Sequence, residues 1–301
     1  MDGSWEQGNR NPSAAAVFAL LGIGVLYFNA QSFLAIIAIV LSGPSAGYSE
    51  VSGGFLEQFV AVIREYSTAI RIALLISQYL FMLLPVVWLI RRWHTQRVWE
   101  YVRFSFGSPK EVGLAVLATL AIMPAGTFIA NEFTRRLNIP QEFLEAGAAI
   151  FTAHSPAELL FLILVVAVTP AICEEVFFRG YAQRTLERSI DWKSVLVVGV
   201  VFGLYHMQPL GLITLSILGI VFGFFYYRSR SLGPPMAAHF TNNAVIVVLL
   251  FLRPKVGEMD VAYAEQIPLW WVAVSLPVGL ATLVLYHRIT GDRSGSAVPA
   301  A

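Results

Sequence analysis

The sequence predicts an all-α fold, a polytopic membrane bundle of about eight transmembrane helices. Hydrophobic residues make up 57% of the 301 residues and charged residues only 13%, about half the charged share of a typical soluble protein. Residues 11–49 contain no Asp, Glu, Lys or Arg, and about 20 apolar residues suffice to cross the hydrocarbon core of a bilayer. The chain is therefore expected to span a membrane several times.

The first apolar run, Ala14–Leu41, predicts a membrane helix that is retained in the protein. A cleaved signal peptide has a basic start and an apolar core of about 7–15 residues. Here the acidic residues Asp2 and Glu6 outnumber the basic Arg10, and the run is far longer than such a core. We therefore expect residues 1–13 to form a short segment ahead of the first span.

Seven further spans are predicted, in order, from apolar runs. The third and fourth spans each begin at a capping box followed by proline, at Ser108–Glu111 and Ser155–Glu158, which is a start signal independent of hydropathy. The fourth and fifth spans have the shortest uncharged cores. The seven runs are Arg71–Ile90, Val112–Asn131, Leu159–Cys173 with a polar continuation, Ser194–Tyr205, Leu210–Tyr227, Pro235–Leu252 and Ile267–Tyr286.

Residues 14–288 are predicted to form one helical membrane domain, followed by a disordered polar tail at 289–301. With the N-terminus inside and eight spans, 14 of the 20 Lys and Arg residues lie on the inner side. Such residues concentrate on the cytoplasmic side of membrane proteins, so both termini are expected there. The compact size favours a prokaryotic plasma membrane, and the net charge of +1 gives no reason to expect a nucleic-acid partner.

Ionisable and amide side chains occur in three successive inner-leaflet segments. Such residues are costly inside a bilayer, so they mark functional sites when they face the protein interior. Each group also has a structural interpretation, as an interfacial ion pair, a core histidine or a hydrogen bond between helices. Their coincidence favours a common site. The groups are Glu174, Glu175 and Arg179; His206; and His239 and Asn243.

The spacing within each group predicts which side chains share a helix face. Glu175 and Arg179 are four residues apart and are expected to form an ion pair, while Glu174 points about 100° away. His239 and Asn243 are also four apart and are expected to project from one face.

Depth in the bilayer can be predicted in the same way. If the chain turns near Ile190–Asp191, Glu174 and His206 lie at similar depths on antiparallel helices. His239 follows a Pro-Pro pair closely, so it is expected to lie shallower. Tilt or a kink at Pro170 would then be needed to unite the three groups.

Three motifs lie in order between residues 110 and 252: Glu-Glu-x-x-x-Arg at Glu174–Arg179, Phe-x-x-x-His at Phe202–His206, and His-x-x-x-Asn at His239–Asn243. Their order and spacing resemble the signatures of the CAAX prenyl endopeptidase and bacteriocin-processing (CPBP, or ABI) family of membrane proteases. One such motif is weak evidence, whereas three in order are specific.

The resemblance implies an intramembrane glutamic endopeptidase that uses no cofactor. Peptide hydrolysis needs a base, a water, donors for the oxyanion and a proton for the leaving amine, and a carboxylate in a low-dielectric cavity is a stronger base than an exposed one. By residue, the resemblance assigns the general base to Glu174, water binding or protonation to His206, oxyanion stabilisation to His239 and Asn243, and a supporting ion pair to Glu175 and Arg179.

The expected partner is the lipid bilayer together with a membrane-associated peptide or protein, with or without a lipid modification. Eukaryotic relatives in this family act on prenylated CAAX tails, whereas many prokaryotic relatives process peptides or confer bacteriocin self-resistance. The resemblance therefore does not fix the substrate.

Three alternatives remain open at this point. A zinc hydrolase could use Glu174, His206 and His239 as ligands with an open fourth position, although the His-Glu-x-x-His signature is absent. A cysteine protease based on Cys173 is disfavoured by the negative charge of its neighbour Glu174. A proton-coupled transporter, or a scaffold or immunity protein, could carry the same buried residues without catalysis.

Overall fold

A computed structural model describes residues 1–43, 54–138, 141–209, 211–252 and 267–291. Within these ranges every regular element is helical, which confirms the predicted fold class. Of the tail predicted at 289–301, Ile289 and Thr290 belong to the last helix, and the residues from 292 onward lie outside the described ranges. The helices are α1 (Ser4–Gln7), α2 (Pro12–Ser42), α3 (Phe55–Glu65), α4 (Ser67–His94), α5 (Val98–Tyr101), α6 (Pro109–Arg136), α7 (Gln141–Phe151), α8 (Pro156–Ile190), α9 (Lys193–Tyr205), α10 (Leu212–Ser229), α11 (Gly233–Leu252) and α12 (Leu269–Thr290).

Seven of the described helices are long and apolar enough to cross a membrane, namely α2, α4, α6, α8, α10, α11 and α12. They correspond to seven of the eight predicted spans, and the chain is a multi-pass membrane protein. The fifth predicted span, Ser194–Tyr205, is helical but belongs to the 13-residue α9. At 1.5 Å per residue α9 is about 20 Å long, which is shorter than the hydrocarbon core of about 30 Å.

Helix α9 forms a tight hairpin with α10. The chain turns after Ile190 at Asp191, whose φ is 46°, near the predicted position. Glycines let the two helices approach, because a Cβ atom at Gly219 would lie 2.5 Å from the carbonyl oxygen of Gly199. Small residues at such crossings allow close backbone packing in membranes. The short α9 is thereby fixed against a helix that spans.

Helix α8 lies at the centre of the bundle. Its stretch Val176–Gln183 is buried on all sides, and the largest apolar core contains Phe177, Phe178 and Tyr181 from this stretch. The same core includes side chains of α2, α4, α9 and α10. A charged residue of α8 in this region is therefore enclosed by protein rather than by lipid.

Both ends of the described chain lie at one end of the bundle, which we call the terminal end. It also holds the last turns of α8, α10 and α12. Three contacts join these segments: Glu6 to Arg188 (2.6 Å), Arg230 to Glu187 (2.6 Å) and Arg228 to Thr290 (3.2 Å). The six other long helices each cross once, and the α9–α10 hairpin enters and leaves at the terminal end, since Tyr227 near the end of α10 contacts Asp191 ahead of α9 at 2.8 Å.

Helices α3 and α7 were not predicted. They pack against each other near the start of α4, and neither is long enough to appear as an apolar span. Arg71, expected at the start of the second span, is buried there. It donates to the carbonyl oxygen of Ile150 at 2.8 Å and pairs with Glu158 of α8 at 2.5 Å, which joins α4, α7 and α8.

Candidate active site

The two adjacent glutamates lie on a short α-helical segment of α8, Thr169–Glu175, between two π-helical turns. Such turns shift the register of a helix and are frequent at functional sites. Both side chains face the protein interior, with Glu174 8% exposed and Glu175 fully buried. The glutamates therefore do not face lipid.

Glu175 is the centre of a buried charge network. Arg179 Nη1 donates to Glu175 Oε1 at 2.8 Å, in the i,i+4 geometry that the sequence predicts. Arg179 also donates to the carbonyl oxygen of Gly219 at 3.0 Å, and its guanidinium lies 4.5 Å from the ring centroid of Phe202. A buried charge needs such partners, because an unpaired one is strongly destabilising.

His239 of α11 reaches both glutamates. Its Nδ1 lies 2.8 Å from Glu175 Oε1, and its Nε2 lies 4.0 Å from Glu174 Oε2. The ring is stacked on Phe222 at a centroid distance of 5.2 Å. The hydrogen bond to Glu175 and the stacking fix the imidazole so that Nε2 points toward Glu174.

Glu174 is held by one hydrogen bond and leaves one oxygen available. Gln78 Nε2 of α4 donates to Glu174 Oε1 at 3.3 Å. The other oxygen, Oε2, is buried and has no hydrogen-bond partner among the described residues. The 4.0 Å separation from His239 is too long for a direct hydrogen bond and is of the kind that water bridges.

Asn243 is held by the backbone of α8. Its Nδ2 donates to the carbonyl oxygen of Val166 at 2.8 Å, in the π-helical turn Leu164–Val168. Asn243 Oδ1 accepts from Asn242 at 3.0 Å. The carboxamide is thus fixed, and an amide NH₂ has a second N–H.

His206 lies at the margin of this group. Its Nδ1 is 2.8 Å from the carbonyl oxygen of Phe202, and since a carbonyl only accepts, Nδ1 carries the proton and Nε2 is an acceptor when the ring is neutral. No hydrogen bond or ion pair joins His206 to Glu174 or Glu175 in the part of the chain that the structure describes. Phe202 connects the two histidines, because its ring also lies 5.7 Å from that of His239.

The expectation that His239 lies too shallow is wrong. A Cβ atom at Gly180 would lie 3.5 Å from Leu232 Cδ1, so Gly180 of α8 is level with the start of α11. Glu175 is five residues and His239 seven residues beyond that level, a difference of about 3 Å at 1.5 Å per residue. No kink at Pro170 is needed, because α8 continues past Gly180 to Ile190 while α11 begins beside it.

Sequence reasoning missed Gln78 and Tyr27. Gln78 lies inside the predicted second span and belongs to no motif, and Tyr27 of α2 adjoins both Gln78 and Glu174. A neutral amide or phenol does not interrupt an apolar run. The available signal was a glutamine near the middle of a membrane helix, where an unpaired amide is costly.

The zinc site and the cysteine protease considered as alternatives would need other arrangements of side chains. Among the described residues no three His, Cys, Asp or Glu side chains form a group that could hold a metal ion, and this includes the set Glu174, His206 and His239. Cys173 is a free thiol buried in the apolar core. Its side chain has no exposed surface.

Comparison with known proteins gives two matches. Residues 156–245 match a model of the family described as type II CAAX prenyl endopeptidase Rce1-like, a range that contains all three motifs. A Bacillus subtilis (strain 168) protein, provisionally named membrane peptidase YdiL, is 26% identical over 150 residues, which are 48% of this chain and 59% of that protein. No solved structure matches the chain. The resemblance to CAAX-type membrane proteases is thereby confirmed for the motif-bearing part of the chain. The match to the Bacillus protein covers about three fifths of that protein's length.

Proposed function

We propose that this protein is an intramembrane endopeptidase that hydrolyses a peptide bond of a membrane-associated peptide or protein with a water activated by Glu174. The observation that carries the proposal is the 4.0 Å approach of His239 Nε2 to the unpartnered oxygen of Glu174. The matched family model covers the same residues. The finer mechanism follows from the hydrogen bonds of each side chain.

Glu174 acts as the general base through Oε2. Its Oε1 is occupied by Gln78, so Oε2 is the oxygen that can accept a proton from water. The resulting hydroxide attacks the scissile carbonyl carbon, and the proton passes to the leaving amine.

His239 supplies charge that compensates the oxyanion. Its Nδ1–H donates to Glu175, so Nε2 can donate to the intermediate only when the ring is doubly protonated. Glu174, Glu175 and Arg179 together carry one net negative charge, and an imidazolium at His239 makes the cluster neutral. A neutral cluster costs less to bury than a charged one.

Asn243 is the second oxyanion donor, through the N–H that Val166 does not accept. One preset donor of this kind contributes about 2.7–4 kcal/mol in another hydrolase. His206 contributes an acceptor at Nε2 that holds the water or returns a proton to it. Its half-buried ring places it where water can enter from outside the core.

The membrane side of the terminal end is assigned from its basic residues. The terminal end carries Arg188 and Arg230, and we assign it to the cytoplasmic side of a plasma membrane by the positive-inside rule. The substrate is a membrane-associated peptide or protein, with or without a lipid modification. No cofactor and no nucleic acid take part in the proposed reaction.

Substrate trapping tests the proposal. The full chain and its Glu174→Gln variant are expressed in the same cells, and mass spectrometry compares the termini of all membrane proteins. Peptides cut by the wild type are expected uncut and co-purifying with the variant. Cys173→Ala, one residue away, is the matched control and is expected to cut normally.

Four outcomes would overturn the proposal. Equal cleavage by Glu174→Gln and wild type would show that Glu174 is not the base. No cleavage by the wild type would leave a scaffold or immunity role. Proton-coupled flux in proteoliposomes without cleavage would indicate a transporter. Loss of cleavage with a tight chelator, restored by zinc, would indicate a metal hydrolase.

A further inference from the structure

A side chain outside the matched residues 156–245 touches the candidate base. Gln78 lies near the middle of the 28-residue α4 and is 6% exposed. Its Nε2 donates to Glu174 Oε1 at 3.3 Å, across 96 positions of sequence. A buried amide in the middle of a membrane helix is costly unless it is paired, so its presence here needs an explanation.

The local backbone of α4 directs this amide toward α8. Gln78 begins a π-helical turn, Gln78–Leu83, which packs against the α-helical segment of α8 that carries Glu174. π-helical turns re-aim side chains and are frequent at functional sites. Helix α2, which carries Tyr27, also packs against this turn. Gln78 therefore lies between α2 and α8, and its N–H is aimed at one carboxylate, while its own Oε1 has no hydrogen-bond partner among the described residues.

The pairing makes the two oxygens of Glu174 unequal. Oε1 accepts the N–H of Gln78, whereas Oε2 has no partner among the described residues and faces His239. A hydrogen bond donated to one oxygen restricts the rotation of a carboxylate. Glu174 is thus oriented before any substrate arrives.

We propose that Gln78 is a positioning residue that holds Glu174 with Oε2 toward the reacting water. This inference rests on the proposed function, and it adds a contribution from α4 to a site otherwise built from α8, α9 and α11. Gln78 acts through Glu174 and does not itself touch the reacting atoms.

The test uses full-length protein in proteoliposomes and a library of internally quenched peptides as the probe. Gln78→Met removes the amide at nearly constant volume. A hydrogen bond to a charged group is worth enough to lower kcat about 10-fold to 100-fold. KM is expected to stay unchanged, because Gln78 does not touch the substrate.

Two further variants separate positioning from structure. Gln78→Asn keeps the polarity but is one methylene too short, so its kcat is expected to fall with that of Gln78→Met. Gln183→Met removes another buried amide, which donates to the carbonyl oxygen of Gly223 at 2.9 Å. This control is expected to lower the melting temperature and to leave kcat unchanged.

The outcomes distinguish this inference from the proposed function. If wild type cleaves no member of the library, or Glu174→Gln cleaves as fast as wild type, the proposed function is wrong and the inference fails with it. If Glu174→Gln is inactive but Gln78→Met and Gln78→Asn keep the wild-type kcat, only the inference about Gln78 is wrong. A rise in KM at unchanged kcat, or a loss of kcat no larger than that of Gln183→Met, also overturns it.

Discussion

His239 and Arg179 bind the same carboxylate oxygen, Glu175 Oε1, each at 2.8 Å. One glutamate therefore joins α8 to α11 and neutralises a guanidinium in the middle of the bundle. The adjacent Glu174 is left with an oxygen that no described residue engages. Glu175 thus has a structural role, whereas Glu174 keeps one oxygen that can bind a water.

The first prediction concerns the buried ion pair. Glu175→Gln leaves Arg179 as an unpaired buried charge, so the variant is expected to lose about 3–5 kcal/mol of stability. The double variant Glu175→Gln with Arg179→Met is expected to recover most of this stability but not the cleavage activity, because His239 loses its carboxylate partner. Thermal unfolding in detergent measures the stability, and a double variant no more stable than the single one would contradict the account.

Asn243 is expected to affect the rate more than the fold. Asn243→Ala removes an oxyanion donor, and kcat is expected to fall about 100-fold to 1000-fold with little change in KM. Thr241→Ala is the matched control, since its hydroxyl bonds only the carbonyl of Ala237 in the same helix. An Asn243→Ala variant as active as the control would remove Asn243 from the mechanism.

The N-terminal segment is expected to stabilise the protein in a pH-dependent way. Partial burial raises the pKa of Glu6, but hydrogen bonds from Arg188 and His94 outweigh it, so this pKa lies below its ordinary value. A lowered carboxyl pKa contributes stability that is fully present above the ordinary pKa of glutamate, near 4.3, and is lost as the pH falls through the lowered value.

Melting temperatures from pH 7 to pH 3 measure this contribution. Glu6→Gln is expected to melt about 2–4 °C below wild type at pH 7, as for a loss of about 1 kcal/mol, and the gap is expected to close toward pH 3. Asp2→Asn, on the same segment, is the control. A gap that stays constant with pH would show that Glu6 acts by packing alone.

The glycine crossing of α9 and α10 gives a further prediction. Gly219→Ala places a Cβ 2.5 Å from a backbone oxygen of Gly199, so the helices must separate and the Gly219 carbonyl that Arg179 bonds must shift. Lower melting temperature and lower activity are both expected. A Cβ atom at Gly113 would meet no atom within 4 Å, so Gly113→Ala is the control and is expected to raise stability slightly by its helix propensity. Equal effects of the two variants would show that α9 and α10 do not depend on close packing at Gly219.

The sequence predicts the local parts of this site well. The Glu175–Arg179 pair follows from i,i+4 spacing alone, and the apolar runs predict the long helices. The contacts of Asn243 with Val166 and of Gln78 with Glu174 depend on how distant helices pack, so spacing within one helix cannot reveal them.

The depth of His239 was mispredicted for a related reason. Hydropathy places the end of α8 and the start of α11 at the same membrane surface, but α8 extends well past the start of α11. Helices α3 and α7 were missed because their charged residues, such as Glu57 and Arg64, break the apolar pattern that predicts spans. Packing between elements, rather than the pattern along one element, decides these features.

The single-turnover cleavage rate of Glu174→Gln, on a peptide that the wild type cleaves in proteoliposomes, tests most directly whether Glu174 is the general base. The rate is expected to fall about 1000-fold or more, while the melting temperature stays within a few degrees of wild type and a chelator leaves the wild-type rate unchanged. A folded Glu174→Gln variant that cleaves at close to the wild-type rate would show that Glu174 is not the base.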